Sequence, residues 1–180
     1  LKEDLISLPD YEWYSVYKKL YFSMRTWKKI IDSAFNYGDV WIDIFDLYGV
    51  RVVKDNLKKI HGLKLQASIL ENYEVYDALN LLDLKTKKLI INVSGFDINL
   101  ISNILVRFGY LTKDLILQIG FQSYPTKIKD TGLQKISVLK STYPNLSICI
   151  ADHVDGEDPF ALIAPLYANL LGCDYIEKHF

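Results

Sequence analysis

Six short apolar runs recur along the chain, beginning near Val40, Leu63, Leu89, Leu115, Leu146 and Cys173. Their spacing of about 23 to 31 residues is the length of one strand–helix–strand step with short loops. Amphipathic stretches lie between them: Val50–Ile60, Glu74–Leu82, Ile98–Phe108, Leu133–Leu139 and Pro159–Leu171. No hairpin signal joins neighbouring runs, so the pattern predicts a parallel α/β sheet covered by helices. Polar residues end nearly every run instead of gathering at one crossover, which favours a closed barrel over an open doubly wound sheet. An eight-stranded barrel takes about 250 residues. The expected fold is therefore a TIM (β/α)8 barrel whose first two strands would lie before residue 1. The chain starts at Leu1 without Met and stops within or just after a strand, so a fragment of a longer protein is expected.

Residues 1–38 read as a helical lead-in and 39–180 as the six strand-and-helix steps. In the lead-in, Tyr11, Trp13, Tyr14, Tyr17 and Tyr21 crowd together, and a helix could begin beside Asp10 and Glu12. That cluster reads as packing. Ser23 is placed to cap a second helix, with Trp27, Ile30, Ile31 and Ala34 at helical spacing and Gly38 ending it. A formal net charge of −1 provides no basic footprint for nucleic acid, so any anionic ligand needs local charge. No signal peptide or apolar run of about 18 residues occurs, which argues against a membrane. Cys149 and Cys173 fall in predicted strands without metal-motif spacing and read as buried thiols of a reducing, cytoplasmic compartment. Neither a glycine-rich dinucleotide fingerprint nor a phosphate P-loop is present.

Side chains alternate across a strand. One face then collects Lys64, Gln66 and Ser68; Asn92 and Ser94; Gly120, Gln122 and Tyr124; Ala151 and His153; and Tyr175, Glu177 and His179. The opposite faces are aliphatic, from Leu63 and Leu65 through Ile91, Val93, Ile119 and Phe121 to Ile148, Ile150 and Ile176. The aliphatic set can pack under helices while the polar set converges at a barrel mouth. A lysine inside a parallel strand is costly without a counter-anion. Lys64 therefore reads either as a partner for phosphate or carboxylate, helped by Ser68 and Ser94, or as a surface lysine at a strand start or half of a structural ion pair. His153 and His179, at successive strand ends, suit a metal whose remaining positions stay open to water and substrate. Glu177 and Asp152 are candidates to orient an imidazole, Lys178 is expected to point away, and His61 reads as surface before a strand.

Gly120-Phe121-Gln122-Ser123-Tyr124-Pro125-Thr126, Ala151-Asp152-His153 and Ile176-Glu177-Lys178-His179-Phe180 resemble the sialic acid synthase family of N-acetylneuraminate, legionaminate and pseudaminate synthases. Lys64 to Ser68 and Val93-Ser94-Gly95 are similar to its earlier strand motifs, and the likeness runs in order from about Trp27 to Phe180. The resemblance implies a transferase that condenses phosphoenolpyruvate with an N-acetylated hexose of mannosamine type. The products would be a nine-carbon 2-keto sugar acid and phosphate. It further implies a divalent metal, Mn or Mg, on the catalytic pair His153 and His179. Lys64, Ser68 and Ser94 would hold phosphoenolpyruvate, and Gln122 and Tyr124 the sugar. A partner subunit's arginine, and hence a homodimer of the full-length protein, is implied as well. The sequence departs from the family at Ala151, where a serine often donates to the phosphate, and around Gln66-Ala67-Ser68, where the hydroxyl is ambiguous by one residue. The family's early glutamate and lysine, its later acidic residue and its C-terminal antifreeze-like domain fall outside these residues. A non-catalytic sugar- or phosphate-binding barrel and a phosphoenolpyruvate-dependent 3-deoxy sugar-acid synthase remain as alternatives.

Overall fold

The computed structural model describes residues 14–120 and 123–179. Among them six strands alternate with helices: β1 (Val40–Ile44), β2 (Ile60–Leu65), β3 (Lys88–Asn92), β4 (Asp114–Ile119), β5 (Ser147–Asp152) and β6 (Tyr175–Lys178). Two helices precede β1, α1 (Tyr14–Lys19) and α2 (Met24–Ala34). The crossovers carry α3 (Leu47–Asn56), α4 (Tyr73–Asn80), α5 (Ile98–Phe108), α6 (Gln134–Thr142) and α7 (Phe160–Leu170). Every strand pairs in parallel with its successor, in the order β1-β2-β3-β4-β5-β6.

Local chemistry explains where helices begin. Ser23 caps α2 by accepting from the Thr26 amide at 3.2 Å, as expected. Asp46, Asn72 and Asp97 do the same for α3, α4 and α5. Ser68 and Ser94 therefore leave the capping to Asn72 and Asp97. Helix α2 stops at Ala34, with Phe35 closing it, four residues before Gly38. The helix expected near Asp10 and Glu12 falls outside the described residues; α1 lies just beyond it.

The sheet is rolled, not flat. Lys64 on β2 reaches Glu177 on β6 at 2.7 Å, and Lys88 on β3 reaches the Tyr175 hydroxyl on β6 at 2.7 Å. On a flat sheet β2 and β6 would stand about 19 Å apart, beyond the reach of two side chains. Six parallel strands thus form a half-barrel α/β arc. Its convex side packs Leu63, Leu65, Leu89, Ile91, Leu117, Ile148 and Ile150 beneath the helices. Its concave side holds a small apolar layer of Ile90, Ile116 and Cys149, flanked by Trp41 and Tyr175. Above that layer the concave side turns polar.

Three boundaries differ from the sequence reading. β2 starts at Ile60, because Ile60 is buried and pairs with Val40. His61 is therefore a strand residue, accepting from the Val40 amide at 3.1 Å and standing 3.1 Å from Asp39. Cys173 precedes β6 but stays buried, and both cysteines are free. β2 ends at Leu65 and the chain enters a 3-10 turn over Ala67–Ile69. Alternation stops there, so Ser68 lies exposed on the turn and does not share the strand face of Lys64 and Gln66.

Candidate functional site

The concave polar layer is a closed circuit of hydrogen bonds and ion pairs drawn from five strands. Gln66 donates to Asp43 at 2.8 Å, and Asn92 donates to both Gln66 and Gln118 at 3.2 Å. Gln118 donates to Glu177 at 3.0 Å. Lys64 completes the circuit, 2.7 Å from Glu177 and 3.2 Å from Asp43. Period-2 alternation carries each of these side chains inward, and the roll of the arc brings β1, β2 and β6 together. Burial would lower the Lys64 pKa, but its bond to Glu177 and the charge of Asp43 outweigh that and raise it. Burial likewise works to raise Glu177, yet Lys64 and Gln118 hold it below its ordinary value. For Asp43 burial wins over Lys64, and its carboxyl is held above the usual range. Its Oδ1 is buried without a hydrogen-bond partner.

The strand ends β5 and β6 carry the second feature. His153, Glu177 and His179 each offer a ligand atom, and these atoms lie within 4.8 Å of one another. Two imidazole nitrogens on one cation stand roughly 3–4 Å apart, so the group lies close to the spacing that one cation would need. The donor set of two imidazoles and a carboxylate suits a divalent metal. Tyr124 closes one side, its ring centroid 5.1 Å from both His153 and His179, which are themselves 5.1 Å apart. The loop bearing Tyr124 is pinned to β5, because the Thr126 amide donates to the His153 carbonyl at 2.7 Å. Between β1 and β6 the concave side opens as a cleft of about 570 Å³, with Asp43, Lys64, Glu177 and His179 among its lining.

Asp152 does not orient an imidazole. Alternation sends it to the convex side, where it accepts from Lys178 at 2.6 Å and from the Val154 amide at 3.0 Å. Lys178 points away from the site, as expected, and also donates to the Ala161 carbonyl at 2.8 Å. The pair staples the start of α7 to the two strands that bear the histidines. Ser94 lies past the end of β3, its hydroxyl buried without a partner. Gln122 lies outside the described residues. Ala151 faces inward beside Gly120, whose backbone comes so close that a Cβ there would meet the Ala151 carbonyl oxygen at 2.6 Å. Cys149 sits under the polar layer, and burial pushes its thiol up to about 12. Sequence reasoning missed Asp43 and Gln118. The signal for Gln118 was present: it stands two residues before Gly120, hence on the same face.

Residues 8–180 match the NeuB family. The chain belongs to that family. An uncharacterised protein of Methanocaldococcus jannaschii is 30% identical over 181 residues, spanning 99% of this chain and 50% of its own length. This NeuB-family chain thus covers about half the length of that relative. The N-acetylneuraminate-9-phosphate synthase of Drosophila melanogaster is 40% identical over 68 residues, 38% of this chain and 17% of that protein. Among solved structures, an N-acetylneuraminic acid synthetase from Leptospira borgpetersenii shares 22% identity at a TM-score of 0.79, over 98% of this chain and 59% of that one. That likeness shows a shared fold. The resemblance to sialic acid synthases drawn from the Gln122–Thr126, Asp-His and Glu-Lys-His-Phe motifs is borne out by the family match.

Proposed function

We propose that this NeuB-family chain is the barrel portion of a phosphoenolpyruvate-dependent sugar-acid synthase, two strands of whose eight-stranded barrel lie outside these residues. It would condense phosphoenolpyruvate with an N-acetylated hexose of mannosamine type, giving a nine-carbon 2-keto acid and phosphate. The observation that carries the reading is the cluster of His153, Glu177 and His179 at adjacent strand ends, in a chain of this family. A divalent cation held there would polarise the aldehyde oxygen of the open-chain sugar. In the reaction the enol carbon of phosphoenolpyruvate bonds to the aldehyde carbon. Water then adds to the cationic centre left behind, and phosphate departs with carbon–oxygen cleavage.

The chain's own side chains supply the rest. Tyr124, resting on both imidazoles, would form a wall for the sugar, and the family resemblance assigns Gln122 to the same substrate. Lys64 is assigned to the substrate's anionic end, with Ser94 as hydroxyl donor, while Ser68, exposed on its turn, is left out of that role. Lys64 starts out bound to Asp43 and Glu177, so an incoming anion must exchange with a carboxylate. That exchange, together with Ala151 in place of a hydroxyl donor, supports a second reading in which the barrel binds a sugar or phosphate without turnover. The deciding experiment is phosphate release by the full-length protein given phosphoenolpyruvate, Mn²⁺ and a panel of N-acetylated sugars. Release with one sugar establishes the synthase. No release despite retained metal and phosphoenolpyruvate binding leaves the binding barrel.

A further inference from the structure

Two amides at the centre of the concave layer have no place in the reaction just described. Gln118 is 0% and Asn92 1% exposed, and the layer directly beneath them is apolar. An aliphatic pair would pack there, and replacing both partners of a buried hydrogen bond by apolar groups of like shape is nearly neutral for stability. The amides therefore have to be explained by what they orient. Their bonds run in one direction. The Ser94 amide donates to Asn92 Oδ1 at 2.9 Å, which turns the Asn92 nitrogen toward Gln118 Oε1 at 3.2 Å. That in turn leaves only the Gln118 nitrogen to face Glu177 Oε2, at 3.0 Å. Lys64 touches both Glu177 oxygens, at 2.7 and 2.8 Å, so it alone does not choose between rotations of the carboxylate toward or away from His153 and His179.

We propose that Gln118, itself oriented by Asn92, is a positioning residue that holds the Glu177 carboxylate against the histidine pair, so that the three side chains present one preformed cation site. The proposal rests on the cation reading of those three residues. A group that orients a metal ligand typically changes metal affinity 10–100-fold when removed.

The test is calorimetric titration of the full-length protein with Mn²⁺ alone. The wild type should bind one Mn²⁺ and His179→Ala should lose it; absence of binding, or wild-type binding by His179→Ala, overturns the cation reading and this proposal with it. Gln118→Met keeps the length of the side chain and removes the donor. It should bind at the same stoichiometry with a dissociation constant about 10–100-fold higher, while far-ultraviolet circular dichroism stays unchanged. Affinity equal to wild type in Gln118→Met overturns the positioning role and leaves the cation reading intact. If Gln118→Met does not fold, Asn92→Ser, which leaves Gln118 in place without its orienting donor, should show the same weakening, and unchanged affinity there overturns the proposal equally.

Discussion

A Cβ on Gly62 would sit 2.3 Å from the Trp41 ring, and the two residues are paired across β1 and β2. Gly62 is thus the space that lets an indole lie flat inside the arc, next to Ile90 and Ile116. Gly62→Ala should cost about 1–3 kcal/mol, the range for overpacking, read as a lower denaturant midpoint with unchanged slope. Trp41→Leu in the same chain should recover part of it. Ala151 is a second small residue on the concave side. It is buried and faces Gly120 on the concave side. Under the proposed synthase function, Ala151→Ser should add a donor to that surface and tighten phosphoenolpyruvate in calorimetry of the full-length protein. A weaker dissociation constant would place the anion elsewhere.

Among the elements, the turn between α7 and β6 shows how a strand bearing a histidine is anchored. Asp174 accepts from the Ile148 amide at 2.8 Å and from Lys140 at 2.7 Å, tying the entry of β6 to β5 and α6. Burial pulls its pKa up, but Lys140 and the Ile148 amide prevail and hold it below the usual value. The stability this contributes is fully present above the ordinary carboxylate pKa of about 4 and is lost as pH falls through the lower folded value. Asp174→Asn should therefore flatten the acid limb of a plot of melting temperature against pH below about 4. A limb identical to wild type would remove Asp174 from that role. The same scale marks what could be read from sequence alone. Within the strands, alternation along β2, β3 and β5 predicted the two faces, because a period of two needs no tertiary information, whereas Ile176 on β6, expected under the helices, is 41% exposed. Alternation stopped being informative where strands end, which is why Ser68 was placed on a face it does not share. The polar circuit was legible only in halves: Lys64, Gln66, Asn92 and Glu177 were seen facing inward, but Lys64 and Glu177 lie 113 residues apart, and no local pattern states how tightly a sheet rolls.

For the molecule as a whole, that roll has an identifiable clasp. Lys64 on β2 joins Asp43 on β1 to Glu177 on β6, linking the two edge strands of the six-stranded order. Its side chain is 12% exposed and those of Asp43 and Glu177 are 30% and 28% exposed, so removing it leaves two half-buried carboxylates in each other's field. Breaking a fully buried pair typically costs about 3–5 kcal/mol; with both carboxylates partly solvated, Lys64→Met should lose about 1–3 kcal/mol in chemical denaturation at pH 7. The dependence on pH separates a clasp from ordinary packing. In the wild type Glu177 is held below its usual value, so its contribution is present at neutral pH and declines in acid. Without Lys64 the remaining influences on Asp43 and Glu177 are burial and mutual repulsion, both of which raise an acid's pKa. A carboxyl raised in the folded state binds more protons there than when unfolded, so the variant gains stability relative to pH 7 as the pH falls toward about 4. The gap between wild type and Lys64→Met should therefore narrow on acidification. A gap that stays constant from pH 7 to 5 would mean that Lys64 contributes its aliphatic stem alone and that the arc is held by its hydrophobic layers.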